Sequence, residues 1–247
     1  MGSFLFKQFS VRQEISAMKV NTDGVLLGAW CSLPQSVPLE RPVRVLDVGT
    51  GTGVIALMVA QRLSSQFNNF NIAGIDPDAP SSEEAEYNFK ASKWSNSLSS
   101  LPLSLKEFAN TGSGCFDLIV SNPPYFINSL KAPAKRRSNA RHSESLPFYE
   151  LADCSANLLT PCGTLSVILP AEAGEFFVSA AALHGLSLYQ ICKVSTLSGE
   201  PEKRVLMEFS KTRDLGLKKS GLSVQESPGG TFSDDYRRLT ADFYLKF

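Results

Sequence analysis

The chain has 247 residues, 43% of them hydrophobic, and its 24 basic and 24 acidic side chains cancel to a formal charge of zero. That is enough apolar material for a substantial core, and the even balance argues against a polyanion bound over the whole surface, because phosphate contacts need an excess of Lys and Arg. No apolar run reaches the ~20 residues of a membrane-spanning helix, MGSFLFKQFS lacks the basic start and apolar centre of a secretory leader, and the five cysteines and two histidines show no metal-ligand spacing. The expectation is a cytoplasmic protein with reduced thiols, no metal, no membrane contact and no obligate protein partner.

The first forty residues have little regular pattern, and CSLPQSVPLERP, with three prolines, reads as a linker. From residue 43 onward strand-like and helix-like stretches alternate, the signature of a parallel sheet covered by helices. VRVLDV is the first strand and VIALMVAQRLSSQ the first helix. NFNIAGID reads as the second strand, SEEAEYNFKASKW as a helix, LPLSLKEF as the third strand and FDLIVS as the fourth. FYELADCSANLL has amphipathic helical spacing and is closed by Pro161 and Gly163. TLSVILP is a fifth strand, and EFFVSAAALHG is a helix that stops at Gly185. SLYQICKVST and RVLMEFSK are separated only by LSGEPEK, too short for a helical crossover, so they are expected to pair antiparallel. KKSGLSVQESPGGTFSDD reads as a loose surface connection, and DYRRLTADFYLKF as a terminal element that docks back.

DVGTGTG, residues 47–53, lies between a strand and a helix, where an open parallel sheet binds ligands beyond the carboxyl ends of its strands. Gly49, Gly51 and Gly53 permit positive φ and close approach of backbone to a ligand. Asp76 ends the next strand, roughly 20 residues further on, where a carboxylate can accept hydrogen bonds from ribose hydroxyls. Two cofactor classes compete for such a loop: pyrophosphate dinucleotides and S-adenosylmethionine. A carboxylate at Asp47 would repel a pyrophosphate but suits a cationic amino group, and GTGTGV lacks the GxGxxG spacing, so the methyl donor is favoured. A glycine turn without a ligand is the plain alternative.

SNPPYF, residues 121–126, leaves the fourth strand. Asn before Pro commonly starts a turn, yet this turn falls at the carboxyl end of a strand beside the glycine loop. There Asn122 and the Pro123 carbonyl could accept the two N–H groups of a conjugated amine, with Pro123 and Pro124 stiffening the loop. Tyr125 and Phe126 could stack on a planar substrate. KAPAKRRSNARH follows at once and carries Lys131, Lys135, Arg136, Arg137 and Arg141 with no acid. It reads either as solvated surface or as a set of phosphate contacts at the entrance to the site. His142 has no assigned role, His184 on an apolar helix reads as structural, and Tyr236, Arg237 and Arg238 are weaker candidates for an RNA surface.

Taken together, DVGTGTG, Asp76 and NPPY resemble the class I S-adenosylmethionine-dependent methyltransferases that act on amino groups. MKVNTDGVLLGAW, SKW, FDLIVSNPPYF and RSNARH sharpen this to a resemblance, over most of residues 4–210, to the bacterial tRNA1(Val) adenine-N6-methyltransferase family. The resemblance implies an α/β Rossmann-like fold: a mostly parallel seven-stranded sheet ending in an antiparallel hairpin, with helices on both faces. It implies a single domain over 1–247, made of a cofactor-covering segment and linker (1–42), the core (43–211) and a carboxyl-terminal extension (212–247). Asp47, Gly49, Gly51 and Gly53 would then hold the methionine end of S-adenosylmethionine, Asp76 its ribose, and Asn122, Pro123, Pro124 and Tyr125 the target amine of a tRNA. Asn122 would also touch the cofactor. Thr22 and Asp23 would lie in the covering segment, although a helix cap explains them equally well. KEFANTGSGC departs from a common pattern in which an acid meets the cofactor adenine, with Glu107 or the backbone near Phe108 as substitutes. Protein glutamine methyltransferases of the release-factor type and rRNA or DNA adenine methyltransferases are the alternatives.

Overall fold

The computed structural model describes residues 2–35, 37–38, 40–112, 114–124, 147–212 and 216–246. The chain opens with a short antiparallel pair, β1 (Phe4–Leu5) and β2 (Ser10–Val11), and a helix, α1 (Thr22–Trp30). Then follow β3 (Val43–Val48), α2 (Val54–Leu63), β4 (Phe70–Ile75), α3 (Ala79–Lys90), β5 (Leu98–Leu101), α4 (Leu105–Asn110) and β6 (Phe116–Ser121). The second half comprises α5 (Phe148–Leu158), β7 (Leu159–Pro170), α6 (Gly174–Leu183), β8 (Ser187–Leu197), β9 (Arg204–Ser210), β10 (Lys218–Gln225) and α7 (Asp234–Thr240).

One eight-stranded sheet runs in the order β10-β8-β9-β7-β6-β3-β4-β5. Parallel pairing joins β3 to β4 and β6, β4 to β5, and β6 to β7, whereas β9 is antiparallel to both β7 and β8. The expected hairpin is therefore present. β3 and β6 are buried almost throughout, as parallel strands covered on both faces must be. Their side chains alternate between two cores. Val43, Val45, Leu118 and Val120 pack with α1, α2 and part of α3, and Leu46, Val48 and Ile119 face the apolar side chains of α4, α5 and α6.

The sheet has eight strands where seven were expected. β10 pairs in parallel with the otherwise open edge of β8, Lys219 opposite Ile191 and Leu222 opposite Val194. Its glycine and serine content suits an exposed edge strand, of which only Leu222 and Val224 pack on the core, so a stretch that reads as loose connection is ladder. LPLSLKEF also divides: the strand ends at Leu101, and Ser104 starts α4 through a capping box with Glu107. Pro161 and Gly163 lie inside β7 rather than ending α5, and a side chain at Gly163 would meet the Phe116 carbonyl oxygen at 2.7 Å. The terminal segment docks back as expected, through α7 and a bridge between Phe6 and Tyr244. Tyr236 is only 1% exposed and belongs to this contact, with its hydroxyl 3.1 Å from that of Tyr244, so it offers no RNA surface.

Candidate active site

From β3 the chain moves outward through β4 to β5 and then returns to the other side of β3 as β6. Ligands bind at such a reversal, beyond the carboxyl ends of the strands. A cleft of about 810 Å³ lies there, lined by the loop from Val48 to Thr52, by Asp76, by Leu103 to Leu105, and by Ser121 to Pro124.

The three glycines of the loop have φ of 73°, 53° and 80° at Gly49, Gly51 and Gly53. Among the described residues, nothing beyond its chain neighbours stands within 4 Å of where a Cβ would sit at Gly49, and at Gly51 the Met18 carbonyl oxygen is at 3.9 Å. A Cβ at Gly53 would instead stand 2.5 Å from Cε1 of Phe89. The first two glycines leave open a cradle that side chains would fill, whereas the third lets α3 pack against the start of α2.

Asp76 is built into the same loop. Its Oδ2 accepts the Gly51 N–H at 2.9 Å and its Oδ1 the Asp78 N–H at 2.9 Å. Burial pushes its carboxyl pKa above the usual range against the pull of those two N–H groups. Asp47 departs from the expectation that it meets a ligand directly. It is fully buried beneath the loop and absent from the cleft lining, where its Oδ2 accepts the Thr50 hydroxyl at 2.8 Å and the Ala56 N–H at 3.2 Å. Its Oδ1 has no hydrogen-bond partner among the described residues. Burial raises its pKa to about 7 despite those bonds, and the nearby Asp76 charge adds to the rise.

Ser121 ends β6 opposite Val48, and its hydroxyl donates to the Val48 carbonyl at 2.9 Å. That bond ties the Asn122-Pro123-Pro124 turn to the end of β3, immediately before Gly49. Asn122, Pro123 and Pro124 all line the cleft, so the two motifs named from sequence meet in one site. Tyr125, Phe126, Lys131, Lys135, Arg136, Arg137, Arg141 and His142 lie outside the described residues.

Thr22 and Asp23 are in the first turn of α1 but do not line the cleft. Asn21 caps that helix, accepting the Gly24 N–H at 2.8 Å, and the Asp23 carboxylate accepts a hydrogen bond from Arg204 Nε at 2.8 Å. The preceding residues Ala17, Met18 and Lys19 line the cleft instead, the last two within the MKVNTDGVLLGAW stretch. Glu107 does line it, with its carboxylate holding the Ser104 N–H at 2.9 Å and hydroxyl at 2.7 Å, bonds that keep its pKa below the usual range. Phe108 is buried in the core. The Ser104-x-x-Glu107 capping pattern was the available signal for this wall. The described residues contain no cluster of His, Cys, Asp and Glu able to hold a metal, and no helix long and apolar enough to cross a membrane.

A mixed sheet with a glycine loop after its central strand, an acid ending the next one and Asn-Pro-Pro closing the strand alongside defines a class I methyltransferase architecture. Solved structures of the same fold include a predicted O-methyltransferase from Agrobacterium tumefaciens, with a TM-score of 0.67 at 17% identity over 90% of this chain and 96% of that one. Another is a T. thermophilus 16S rRNA N2 G1207 methyltransferase in complex with AdoMet and guanosine, with a TM-score of 0.54 at 17% identity over 85% of this chain and 50% of that one. Residues 32–137 match the Methyltransferase small domain family. Full-length relatives narrow this further. The protein from Phocaeicola vulgatus named tRNA1(Val) (adenine(37)-N6)-methyltransferase is 42% identical over 98% of this chain and 97% of its own. Proteins of the same name from Bacteroides fragilis and Trichodesmium erythraeum are 39% and 40% identical over 98% and 100% of this chain, and over 98% and 99% of their own. The chain belongs to the tRNA1(Val) (adenine(37)-N6)-methyltransferase family.

Proposed function

We propose that this protein transfers a methyl group from S-adenosylmethionine to the exocyclic N6 of an adenine in tRNA, the one at position 37 of tRNA1(Val), immediately 3′ of the anticodon. The observation that carries the chemistry is the convergence of Gly49, Gly51, Asp76 and Asn122 on one cleft. The volume of about 810 Å³ falls within the usual range for small-molecule sites. The choice of tRNA is supported by the names of relatives about 40% identical along the whole chain.

S-adenosylmethionine supplies an electrophilic methyl group on a positively charged sulfur. Gly49 and Gly51 admit its methionine end close to the backbone, and Asp76 accepts hydrogen bonds from its ribose hydroxyls. Asp47, beneath the loop, braces Thr50 without touching the ligand. The adenine amine is a poor nucleophile because its lone pair is delocalised into the ring. The Asn122 carboxamide oxygen and the Pro123 carbonyl accept its two N–H groups, which favours a pyramidal nitrogen and aims the lone pair; alignment of this kind supplies much of a barrier reduction. Tyr125 stacks on the extruded base, a contact worth ~1–3 kcal/mol. Lys135, Arg136, Arg137 and Arg141 meet phosphates flanking the target, and Phe126 borders the base.

The test is labelled S-adenosylmethionine offered with tRNA, total RNA and protein extract from cells lacking the gene, followed by nucleoside mass spectrometry. Label is expected as N6-methyladenosine in tRNA. Label confined to protein would overturn the reading in favour of glutamine methylation.

A further inference from the structure

Helix α3 carries three buried polar side chains in a stripe, Ser81, Glu84 and Asn88, each 2% exposed or less. Spacings of three and four residues put them on one face of the helix. That face receives the backbone of residues 12–17, which bends from Glu14 onward. The Glu84 carboxylate accepts the N–H of Glu14 at 2.7 Å, of Ile15 at 3.2 Å and of Ser16 at 2.8 Å. Asn88 accepts the Arg12 N–H at 2.8 Å and donates to the Arg12 carbonyl at 2.9 Å, and Ser81 accepts the Ala17 N–H at 3.2 Å. A buried carboxylate is costly to desolvate, and three consecutive backbone donors are an unusually full compensation for it.

Two connections tie this stripe to the cleft. Asn88 donates to the Thr52 carbonyl at 2.9 Å, so one side chain grips both the amino-terminal segment and the glycine loop. The segment then continues directly into Ala17, Met18 and Lys19, which line the cleft. The Met18 carbonyl oxygen faces Gly51 closely enough to be the nearest atom to a Cβ placed there. The far end of the strap is set by the Val20 N–H donating to Gln13 Oε1 at 3.0 Å and by the Asn21 cap of α1.

We infer that Glu84, supported by Ser81 and Asn88, is a positioning residue for cofactor binding: it clamps residues 12–17 so that Ala17–Lys19 stand over the glycine loop. This rests on the reading of the cleft as the S-adenosylmethionine site. Glu84 touches no ligand itself and acts through the strap. The Glu84 carboxylate holds the strap and not the Asn122 turn, so the clamp is expected to govern occupancy by the cofactor rather than the rate of the transfer step.

The experiment compares wild type, Glu84→Gln and Glu84→Ala in the full-length protein. Calorimetry reads S-adenosylhomocysteine affinity, amide hydrogen exchange reads residues 12–20, and steady-state kinetics with tRNA separate kcat from KM. Glu84→Gln retains the shape and one acceptor oxygen, which keeps a folded variant available if Glu84→Ala is unstable. Expected are a Kd at least tenfold higher for Glu84→Ala, an intermediate value for Glu84→Gln, a matching rise in the KM for S-adenosylmethionine with kcat within threefold, and faster exchange confined to the strap. A Kd within twofold of wild type for Glu84→Gln with a protected strap overturns the clamp, as does faster exchange spread evenly over the sheet. Wild type that fails to bind S-adenosylhomocysteine overturns the functional reading, and this inference with it.

Discussion

Replacing Gly49 and Gly53 separately by Ala divides the roles within one seven-residue motif. At Gly53 the φ of 80° places a new side chain in the left-handed region, and its Cβ would stand 2.5 Å from the ring of Phe89, which is fully buried. The backbone strain costs about 1–2 kcal/mol, and forcing a methyl into a filled core costs typically another ~1–3 kcal/mol. Gly53→Ala should therefore lose about 2–5 kcal/mol of stability, or roughly 4–20 °C in Tm for a chain of this size. At Gly49 the φ of 73° imposes the same strain but the Cβ meets nothing within 4 Å among the described residues, so the loss is limited to ~1–2 kcal/mol. The methyl of Gly49→Ala projects into the cleft and should weaken S-adenosylhomocysteine binding by about tenfold or more, whereas Gly53→Ala, while folded, should bind within a few-fold of wild type. Urea unfolding and calorimetry on the two variants read both quantities. Equal stability losses, or an affinity loss larger in Gly53→Ala, would refute the division between a ligand cradle and a packing glycine.

Asn122→Ala should lower kcat at least tenfold with S-adenosylhomocysteine affinity nearly unchanged, because the lost acceptor acts on the reacting amine; near-normal turnover would remove its assigned role. Asp76→Ala should raise the Kd for S-adenosylhomocysteine by a similar factor in calorimetry. The Asp47 carboxyl, held at a pKa of about 7 by burial, binds more protons in the folded ligand-free protein than in the unfolded chain, whose aspartates titrate near 3.9. Its contribution to stability is then greatest at low pH and is lost as pH rises from about 4 to about 7. Asp47→Asn should flatten that part of the urea-midpoint profile, and an unchanged slope would contradict the burial argument. Replacing Arg136, Arg137 and Arg141 together by Ala should reduce the salt dependence of tRNA affinity by about 2–3 log units per log unit of salt, measured by filter binding at several salt concentrations.

What could be read in the sequence was local chemistry. The glycine loop, Asp76 and the Asn-Pro-Pro turn announce themselves within a few residues, and alternating strands and helices bring their ends to one side of a parallel sheet. What could not be read depends on partners distant in the chain. β10 looks like a loop because Lys218 to Gly221 are exposed, and only the open edge of β8 makes a strand of them. Asp47 looks like a ligand contact because sequence carries no depth; the structure turns it under the loop, toward Thr50 and Ala56. A covering segment could be expected but not the clamp on it, since backbone N–H groups of residues 14–16 leave no trace of the Glu84 carboxylate that holds them. The start of α4 is the opposite case, where the capping signal in SLKE was present and the alternation of LPLSL overrode it.

The most direct test of the account is methyl transfer by the purified protein to an unmodified tRNA1(Val) transcript, beside a transcript carrying guanine at position 37, read by nucleoside mass spectrometry. Formation of N6-methyladenosine at position 37, and its absence from the guanine-37 transcript, is the predicted result. Methylation unaffected by that substitution, or no transfer to either transcript by a protein that binds S-adenosylhomocysteine, would contradict the account.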